Sequence, residues 1–140
     1  MESDDDRPRP GPELCTEAEV ERLVHGFYAR VRADAVLGPL FERHVDDWPE
    51  HLAQLVDFWS AMLRGTRRFR GAPVQRHLAL PGLDAGLFAR WLALFRATTA
   101  EMGNPVMREV ADAAAERVAG TLLARYRVQS GRPDDGNAGA

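Results

Sequence analysis

The segment DWPEHLAQLVDFWSAMLRG, residues 47–65, carries the strongest fold signal in the chain. Asp47 stands in the N-cap position, Glu50 lies where it can complete the cap, and Pro49 is tolerated in a first helical turn. Apolar side chains then recur every three or four residues up to Gly65. The segment therefore predicts a long amphipathic helix that ends near Gly65 and packs one face against a core.

Three further long helices are predicted on either side of this segment. The first begins at the capping box formed by Thr16 and Glu19. The third begins near Asp84, and the fourth begins after Asn104, with Pro105 at the first helical position. We find no internal repeat and no alternating strand pattern, so the sequence predicts an all-α fold.

Two interruptions distinguish this pattern from that of a plain four-helix bundle. Gly38 and Pro39 break the chain after the first helix, and residues 65–82 separate the second helix from the third. The inward faces also carry more large aromatic side chains than a bundle needs. This distribution suggests helices spread around something large and flat. These aromatic residues are Phe27, Tyr28, Phe41, Phe58, Trp59, Phe88, Trp91 and Phe95.

The length of 140 residues predicts a single domain. Residues 1–12 and 129–140 are rich in Pro, Gly and Asp, and we expect flexible tails there around a domain spanning residues 13–128. No apolar run approaches the roughly 20 residues that a membrane span requires. Since the N-terminus also lacks the apolar stretch of a signal peptide, we expect a cytoplasmic protein that does not bind membranes.

The residue composition excludes several classes of function. All 18 basic residues are arginine, so mechanisms that require a lysine amine and P-loop nucleotide binding are excluded. Cys15 is the single cysteine, which rules out an intrachain disulfide and argues against a cysteine-based zinc site. The net charge of −3 argues against a general nucleic-acid-binding protein.

His77 is the histidine with the clearest chemical context. It lies between two prolines in APVQRHLALPGL, residues 72–83, and the flanking Leu78 and Leu80 predict that it faces inward. A neutral imidazole on a short constrained segment is a good metal ligand. A zinc site built from all three of His44, His51 and His77 is conceivable, although no zinc-binding spacing supports it. Haem iron, in contrast, needs one imidazole and an apolar cavity.

Four stretches together resemble the group III truncated haemoglobins of bacteria. They are FYARVRADAVLGPLF (27–41), DWPEHLAQLVDFWSAMLRG (47–65), FRGAPVQRHLALPGL (69–83) and FARWLALF (88–95). The resemblance covers about residues 16–127. It implies a shortened globin, in which a two-over-two helical sandwich surrounds haem b. The four long helices would then correspond to the B, E, G and H helices of the family.

The resemblance also implies roles for individual residues. His77 matches the proximal iron ligand, and Tyr28 and Trp91 match the distal residues of the B and G helices. His51 matches the distal histidine; the residues alone favour a hydrogen-bonded core histidine at this position. The expected haem contacts are Phe41, Leu55, Phe58, Trp59, Leu80 and Phe88, with Arg76 and the cluster Arg67, Arg68 and Arg70 as candidates for the haem propionates.

The function implied is reversible binding of O₂, NO or CO at a haem iron that has one imidazole ligand and an open sixth position. Tyr28 and Trp91 would donate hydrogen bonds to the bound ligand. Two alternatives remain open at this level. The first is a haem enzyme for NO dioxygenation or peroxidase-like chemistry, which would need an external reductase or other reductant. The second is a cofactor-free helical interaction domain.

Overall fold

The computed structural model describes residues 8–67 and 85–138, with side chains as far as residue 124. The secondary structure of these ranges is helical: α1 (Glu17–Ala33), α2 (Leu37–His44), α3 (Trp48–Arg64), α4 (Ala85–Ala100) and α5 (Pro105–Ala138). Helix α1 packs on α3, and α4 packs on α5. The two pairs meet through contacts of α1 with α4 and of α3 with α5. The predicted all-α, two-over-two arrangement is confirmed.

The predicted caps set the boundaries of α1 and α3. The backbone N–H of Glu19 donates to Thr16 Oγ1 at 3.0 Å, and the N–H of Thr16 donates to Glu19 Oε1 at 2.9 Å. At the start of α3, the N–H of Glu50 donates to Asp47 Oδ1 at 3.1 Å. Gly65 ends this helix with φ of 75°, a left-handed conformation that glycine adopts without a steric penalty. These short-range signals were therefore sufficient to locate three helix ends.

The predicted break at Gly38 and Pro39 is wrong, because both residues lie in the first turn of α2. Proline is tolerated there since its missing N–H has no intrahelical partner. Gly38 is required by the tight turn between α1 and α2: a Cβ atom at this position would lie 2.4 Å from the carbonyl oxygen of Arg32. The Asp34 carboxylate accepts hydrogen bonds from two backbone N–H groups at the start of α2. This short helix orients the chain between α1 and α3.

Helix α5 begins as predicted and extends further than predicted. The backbone N–H of Met107 donates to Asn104 Oδ1 at 3.0 Å, which makes Asn104 the cap, and Pro105 is the first helical residue. The helix continues to Ala138, beyond residue 129 where the sequence predicts a flexible tail. At the other end of the chain, the N–H of Gly11 donates to the carbonyl oxygen of Leu63 at 2.9 Å. The domain limits of 13–128 stay a prediction.

The core lies between the two helix pairs and combines large and small side chains. Trp59, Phe27 and Phe95 are almost fully buried. The buried side of α5 includes four alanines, whose small side chains leave room for these rings. The alanines are Ala111, Ala114, Ala115 and Ala119, and Met107, Val110 and Leu122 are buried on the same helix. None of the helices in the described ranges combines the length and apolar character that crossing a membrane requires.

Candidate functional site

A cavity of about 360 Å³ lies between α3 and α5, and α1 and α4 complete its wall. This volume is in the range of about 300–1,000 Å³ that is typical of small-molecule and cofactor sites. Most of the lining side chains are aromatic or aliphatic. The described residues that line the cavity are Tyr28, Leu55, Phe58, Trp59, Met62, Trp91, Arg117, Val118, Thr121 and Leu122.

Tyr28 and Trp91 form the buried end of the cavity and are held there by neighbouring rings. Their exposed fractions are 1% and 5%. The ring of Phe27 lies edge-on to both of them, with centroid distances of 4.6 Å to Tyr28 and 5.1 Å to Trp91. Phe95 stacks on Trp91 at 5.9 Å. Because edge-to-face and stacked pairs restrict ring orientation, these contacts fix where the two polar tips point.

The Tyr28 hydroxyl and the Trp91 indole N–H are buried and have no hydrogen-bond partner among the described residues. Burial raises the pKa of Tyr28 above its ordinary value, and the neighbouring Trp91 indole lowers it by a smaller amount. The two groups are thus close, yet they do not form a hydrogen bond of normal geometry. Tyr28 remains protonated at neutral pH, so both groups are available as donors. Leaving a buried donor unsatisfied costs about 1–3 kcal/mol.

His51 and Phe41 adjoin this buried end without lining the cavity. The centroid of the half-buried His51 ring lies 6.1 Å from that of Tyr28 and 5.5 Å from that of Trp48, edge-on in both cases. Phe41, on α2, packs against Tyr28 at 6.1 Å. The structure thus brings the predicted distal histidine and the corner aromatic into contact with the same tyrosine.

Apart from Arg67, which is exposed, the remaining predicted site residues fall into three groups. Leu55, Phe58 and Trp59, all on α3, line the cavity. Phe88 is buried in the core and is not among the described lining residues. The third group lies outside the described residues; it consists of His77, Arg76, Leu80, Arg68 and Arg70.

Half of the described residues that line the cavity were not predicted as site residues from the sequence. Met62 follows Phe58 on the same face of α3, so its helical spacing was a usable signal. The other four residues lie on α5 as two i, i+4 pairs, and nothing local distinguishes them from an ordinary amphipathic face. They are Arg117 with Thr121 and Val118 with Leu122.

The other histidines occupy surface positions. His25 is exposed, and the ring nitrogen Nδ1 of the exposed His44 lies 3.0 Å from the carbonyl oxygen of Leu40. Across residues 8–67 and 85–124, no three side chains of His, Cys, Asp or Glu cluster in a way that could hold a metal ion. The described residues therefore give no support to the zinc site, whose third proposed ligand, His77, lies outside them.

Comparison with known proteins identifies the family. A model of the bacterial-like globins matches residues 13–123. This chain belongs to that family. The globin is 33% identical over 102 residues to the group 3 truncated hemoglobin ctb of Campylobacter jejuni, covering 70% of this chain and 80% of the relative. The resemblance drawn from the sequence to the group III truncated haemoglobins is confirmed.

A solved structure gives the same result. The globin superimposes on the crystal structure of group III truncated hemoglobin from Campylobacter jejuni with a TM-score of 0.74 and 31% sequence identity. The match covers 81% of this chain and 93% of the other. Membership of the globin family implies a haem cofactor and oxygen binding, which argues against the cofactor-free helical domain.

The cavity fits a haem on two observations. Its wall is aromatic and aliphatic, as a large planar apolar cofactor requires. Its buried end presents two donors, on Tyr28 and Trp91, that no acceptor in the described part of the chain satisfies. A diatomic ligand with partial negative charge would satisfy them. The described residues therefore suit the distal side of a haem pocket.

Proposed function

We propose that this globin reversibly binds O₂, and other diatomic ligands such as NO and CO, at a haem b seated in the cavity between α3 and α5. His77 would hold the iron, and Tyr28 and Trp91 would contact the ligand on the distal side. The observation that carries the proposal is the pair of buried, unsatisfied donors on one apolar cavity.

When bound, the haem supplies an iron coordination position for the diatomic ligand. Tyr28 donates an O–H and Trp91 an indole N–H to the electron-rich end of the ligand. A hydrogen bond to a charged acceptor contributes about 1.5–3 kcal/mol. This corresponds to roughly a tenfold to hundredfold gain in affinity for each donor, mostly through slower release. Bound CO carries less negative charge than bound O₂ does, so it gains less affinity from these two donors.

The apolar wall performs a second task. Leu55, Phe58 and Trp59 exclude water from the distal side, which strengthens each hydrogen bond made there because the local dielectric constant is low. The burial that raises the pKa of Tyr28 also keeps its proton in place as a donor.

The cysteine content supports haem b over a haem attached through cysteines. Covalent haem attachment uses a pair of cysteines in a C-x-x-C-H motif. This chain has Cys15 alone, and it is buried outside the cavity wall. A single cysteine cannot form the two thioether bonds of that attachment. Arg76, which adjoins His77 in sequence, is proposed as a partner of a haem propionate.

The test is uptake of haem by the purified full-length chain. Wild-type protein mixed with hemin should give a Soret band that shifts after reduction and addition of CO. His77→Ala should abolish stable haem retention, whereas the control variant His44→Ala should retain haem as wild type does. A wild-type chain that remains colourless with excess hemin would overturn the proposal.

A second candidate, NO dioxygenation, is favoured by the same two donors, since a hydrogen-bonded O₂ is retained until NO arrives. It requires an external reductase to restore the ferrous haem. Stopped-flow mixing of the O₂-loaded protein with NO, with and without a reductase and its electron donor, separates the two functions. Repeated turnover indicates the enzyme, whereas a single stoichiometric oxidation indicates the binding protein.

A further inference from the structure

A salt-bridged cluster at the surface is directly connected to the distal side chains. The cluster consists of Arg32 on α1, Glu42 on α2 and Trp48 on α3. Arg32 Nε donates to Glu42 Oε2 at 2.8 Å, and the guanidinium carbon of Arg32 lies 4.3 Å from the centroid of the Trp48 ring. Trp48 Nε1 donates to Glu42 Oε1 at 3.4 Å. The Glu42 carboxylate on α2 thus accepts hydrogen bonds from α1 and from α3 and links the three helices.

The inner side of the Trp48 ring reaches the distal residues. Its centroid lies 5.5 Å from His51, at an interplanar angle of 85°, and 6.3 Å from Tyr28. His51 in turn lies edge-on to Tyr28 at 6.1 Å. Trp48 is 8% exposed. The indole is therefore held between the charged pair outside and the tyrosine that presents a donor to the cavity.

The charged pair restrains geometry more than it stabilises the fold. The side chains of Arg32 and Glu42 are 42% and 45% exposed, so solvent screens their attraction. The hydrogen bond from Arg32 nevertheless holds the pKa of the Glu42 carboxyl below its ordinary value, so that Glu42 is charged at neutral pH. A planar guanidinium that bonds to a carboxylate and stacks on an indole fixes the plane of that ring.

We propose that Trp48, held by Arg32 and Glu42, is a positioning residue that directs the Tyr28 hydroxyl into the cavity and thereby sets the rate of ligand release. The inference rests on the proposed function for its consequence, slower O₂ release. The positioning of Tyr28 itself depends on the protein alone and can be measured without haem.

Two variants test the cluster, and a third is the control. Glu42→Gln keeps the size of the side chain and removes the ion pair at an exposed position, so the protein stays folded. Trp48→Phe keeps a ring against Tyr28 and loses the indole N–H. The matched control is Glu116→Gln, because Arg96 Nη2 bonds Glu116 Oε2 at 2.7 Å on α4 and α5 with similar exposure, 46% and 55%, outside this cluster.

The first readout is NMR of full-length protein labelled with ¹³C-tyrosine. The chain has two tyrosines, Tyr28 and Tyr126, so the spectrum contains one reporter and one internal reference. Glu42→Gln and Trp48→Phe should shift the Tyr28 ring signals and leave those of Tyr126 in place, and Glu116→Gln should shift neither. If Glu42→Gln leaves Tyr28 as unchanged as Glu116→Gln does, the positioning role is overturned, whether or not the chain binds haem.

The second readout is O₂ dissociation from the haem-loaded protein. Glu42→Gln should increase the rate about twofold to fivefold, and it should shift the C–O stretching band of the CO adduct, which reports the donors around the ligand. Because the effect acts through the hydroxyl, it should disappear in a Tyr28→Phe background. Persistence of the full effect in that background would overturn the inference. Failure of wild-type protein to take up hemin would instead overturn the proposed function and leave the NMR result to decide the positioning.

Discussion

The buried polar groups of the helical core and those at the cavity differ in their hydrogen bonding. Ser60 Oγ donates to Glu17 Oε2 at 2.7 Å, Thr98 Oγ1 donates to the Leu94 carbonyl at 2.8 Å, and Thr99 Oγ1 donates to Asp112 Oδ1 at 2.8 Å. These three residues are the buried polar ones in the described chain, and each is satisfied. At the cavity, in contrast, the donors of Tyr28 and Trp91 are buried and find no acceptor within residues 8–67 and 85–124.

This difference separates stabilising from functional polar groups. A satisfied buried hydroxyl contributes about 1 kcal/mol to stability, while an unsatisfied one costs stability. The fold can place an acceptor beside a buried hydroxyl, as α1 does for Ser60 and α4 does for Thr98. The acceptor that the described residues do not place beside Tyr28 and Trp91 is therefore best supplied by a ligand. Substitutions in the core and at the cavity should then have different effects.

The largest effect is expected for Tyr28→Phe. Removing the hydroxyl removes one hydrogen bond to the ligand, so the O₂ dissociation rate should rise about tenfold to a hundredfold, equivalent to about 1.4–3 kcal/mol. Stopped-flow displacement of O₂ by CO measures this rate. The stability of the haem-free protein should stay constant or increase, because an unsatisfied buried donor is removed. A loss of stability with an unchanged O₂ dissociation rate would show that Tyr28 stabilises the fold, as the hydrogen-bonded core hydroxyls do, and does not contact the ligand.

The next largest effect is expected for Ser60→Ala, with the opposite signature. The substitution removes the bond to Glu17, which retains its ion pair with Arg64 at 2.8 Å. The free energy of unfolding should fall by about 1–2 kcal/mol. Urea denaturation measures this loss, and the O₂ dissociation rate should stay within about twofold of wild type. A rate change comparable to that of Tyr28→Phe would remove the distinction between the two regions.

A smaller loss is expected for Thr99→Val, which keeps the shape of the side chain. The lost partner, Asp112, has an exposed fraction of 20% and lies 3.6 Å from Arg108, so water and this arginine partly replace the missing bond. We expect a decrease of about 1 kcal/mol in the free energy of unfolding. Equilibrium urea unfolding of Thr99→Val beside Thr99→Ser checks it, since the serine variant should retain the bond and lose only a methyl group.

The smallest effect concerns the acid stability of the α1–α4 contact. Arg90 Nε donates to Asp34 Oδ2 at 2.7 Å, and this bond is the main cause that lowers the pKa of Asp34 from 3.8 to about 2. Because the folded-state pKa is depressed, the stabilisation is complete above about pH 4 and is lost as the pH falls towards 2. Urea midpoints measured between pH 5 and pH 2.5 should therefore fall less steeply in Arg90→Gln than in wild type. Parallel curves would show that the pair contributes nothing.

Local signals were read correctly from the sequence because they depend on neighbouring residues. The capping box at Thr16, the cap at Asp47 and the stop at Gly65 each involve atoms within four residues of one another. The prediction of a break at Gly38 was wrong because the role of this residue does not depend on a local signal. Gly38 is needed because its backbone lies close to the carbonyl oxygen of Arg32 on α1. No local pattern distinguishes such a glycine from one that ends a helix.

The candidate site was predictable where the family pattern supplied it. Tyr28, Trp91 and three residues of α3 were named from sequence and line the cavity. The α5 wall, with Arg117 and Thr121, was not, because an exposed polar stripe at helical spacing is normal for any surface helix. The cluster of Arg32, Glu42 and Trp48 was also hidden, since its members belong to three different helices.

The sequence by itself determined the helical class, most helix ends and the family. These depend on hydrophobic periodicity, on capping within one turn and on four motifs in a fixed order. The tertiary structure alone decided which buried donors lack an acceptor, since that depends on what the other helices bring within 3.5 Å of each atom. Tyr28 and Ser60 both lie on the core-facing side of a helix, and only the packing of the helices gives one a partner and leaves the other facing a cavity.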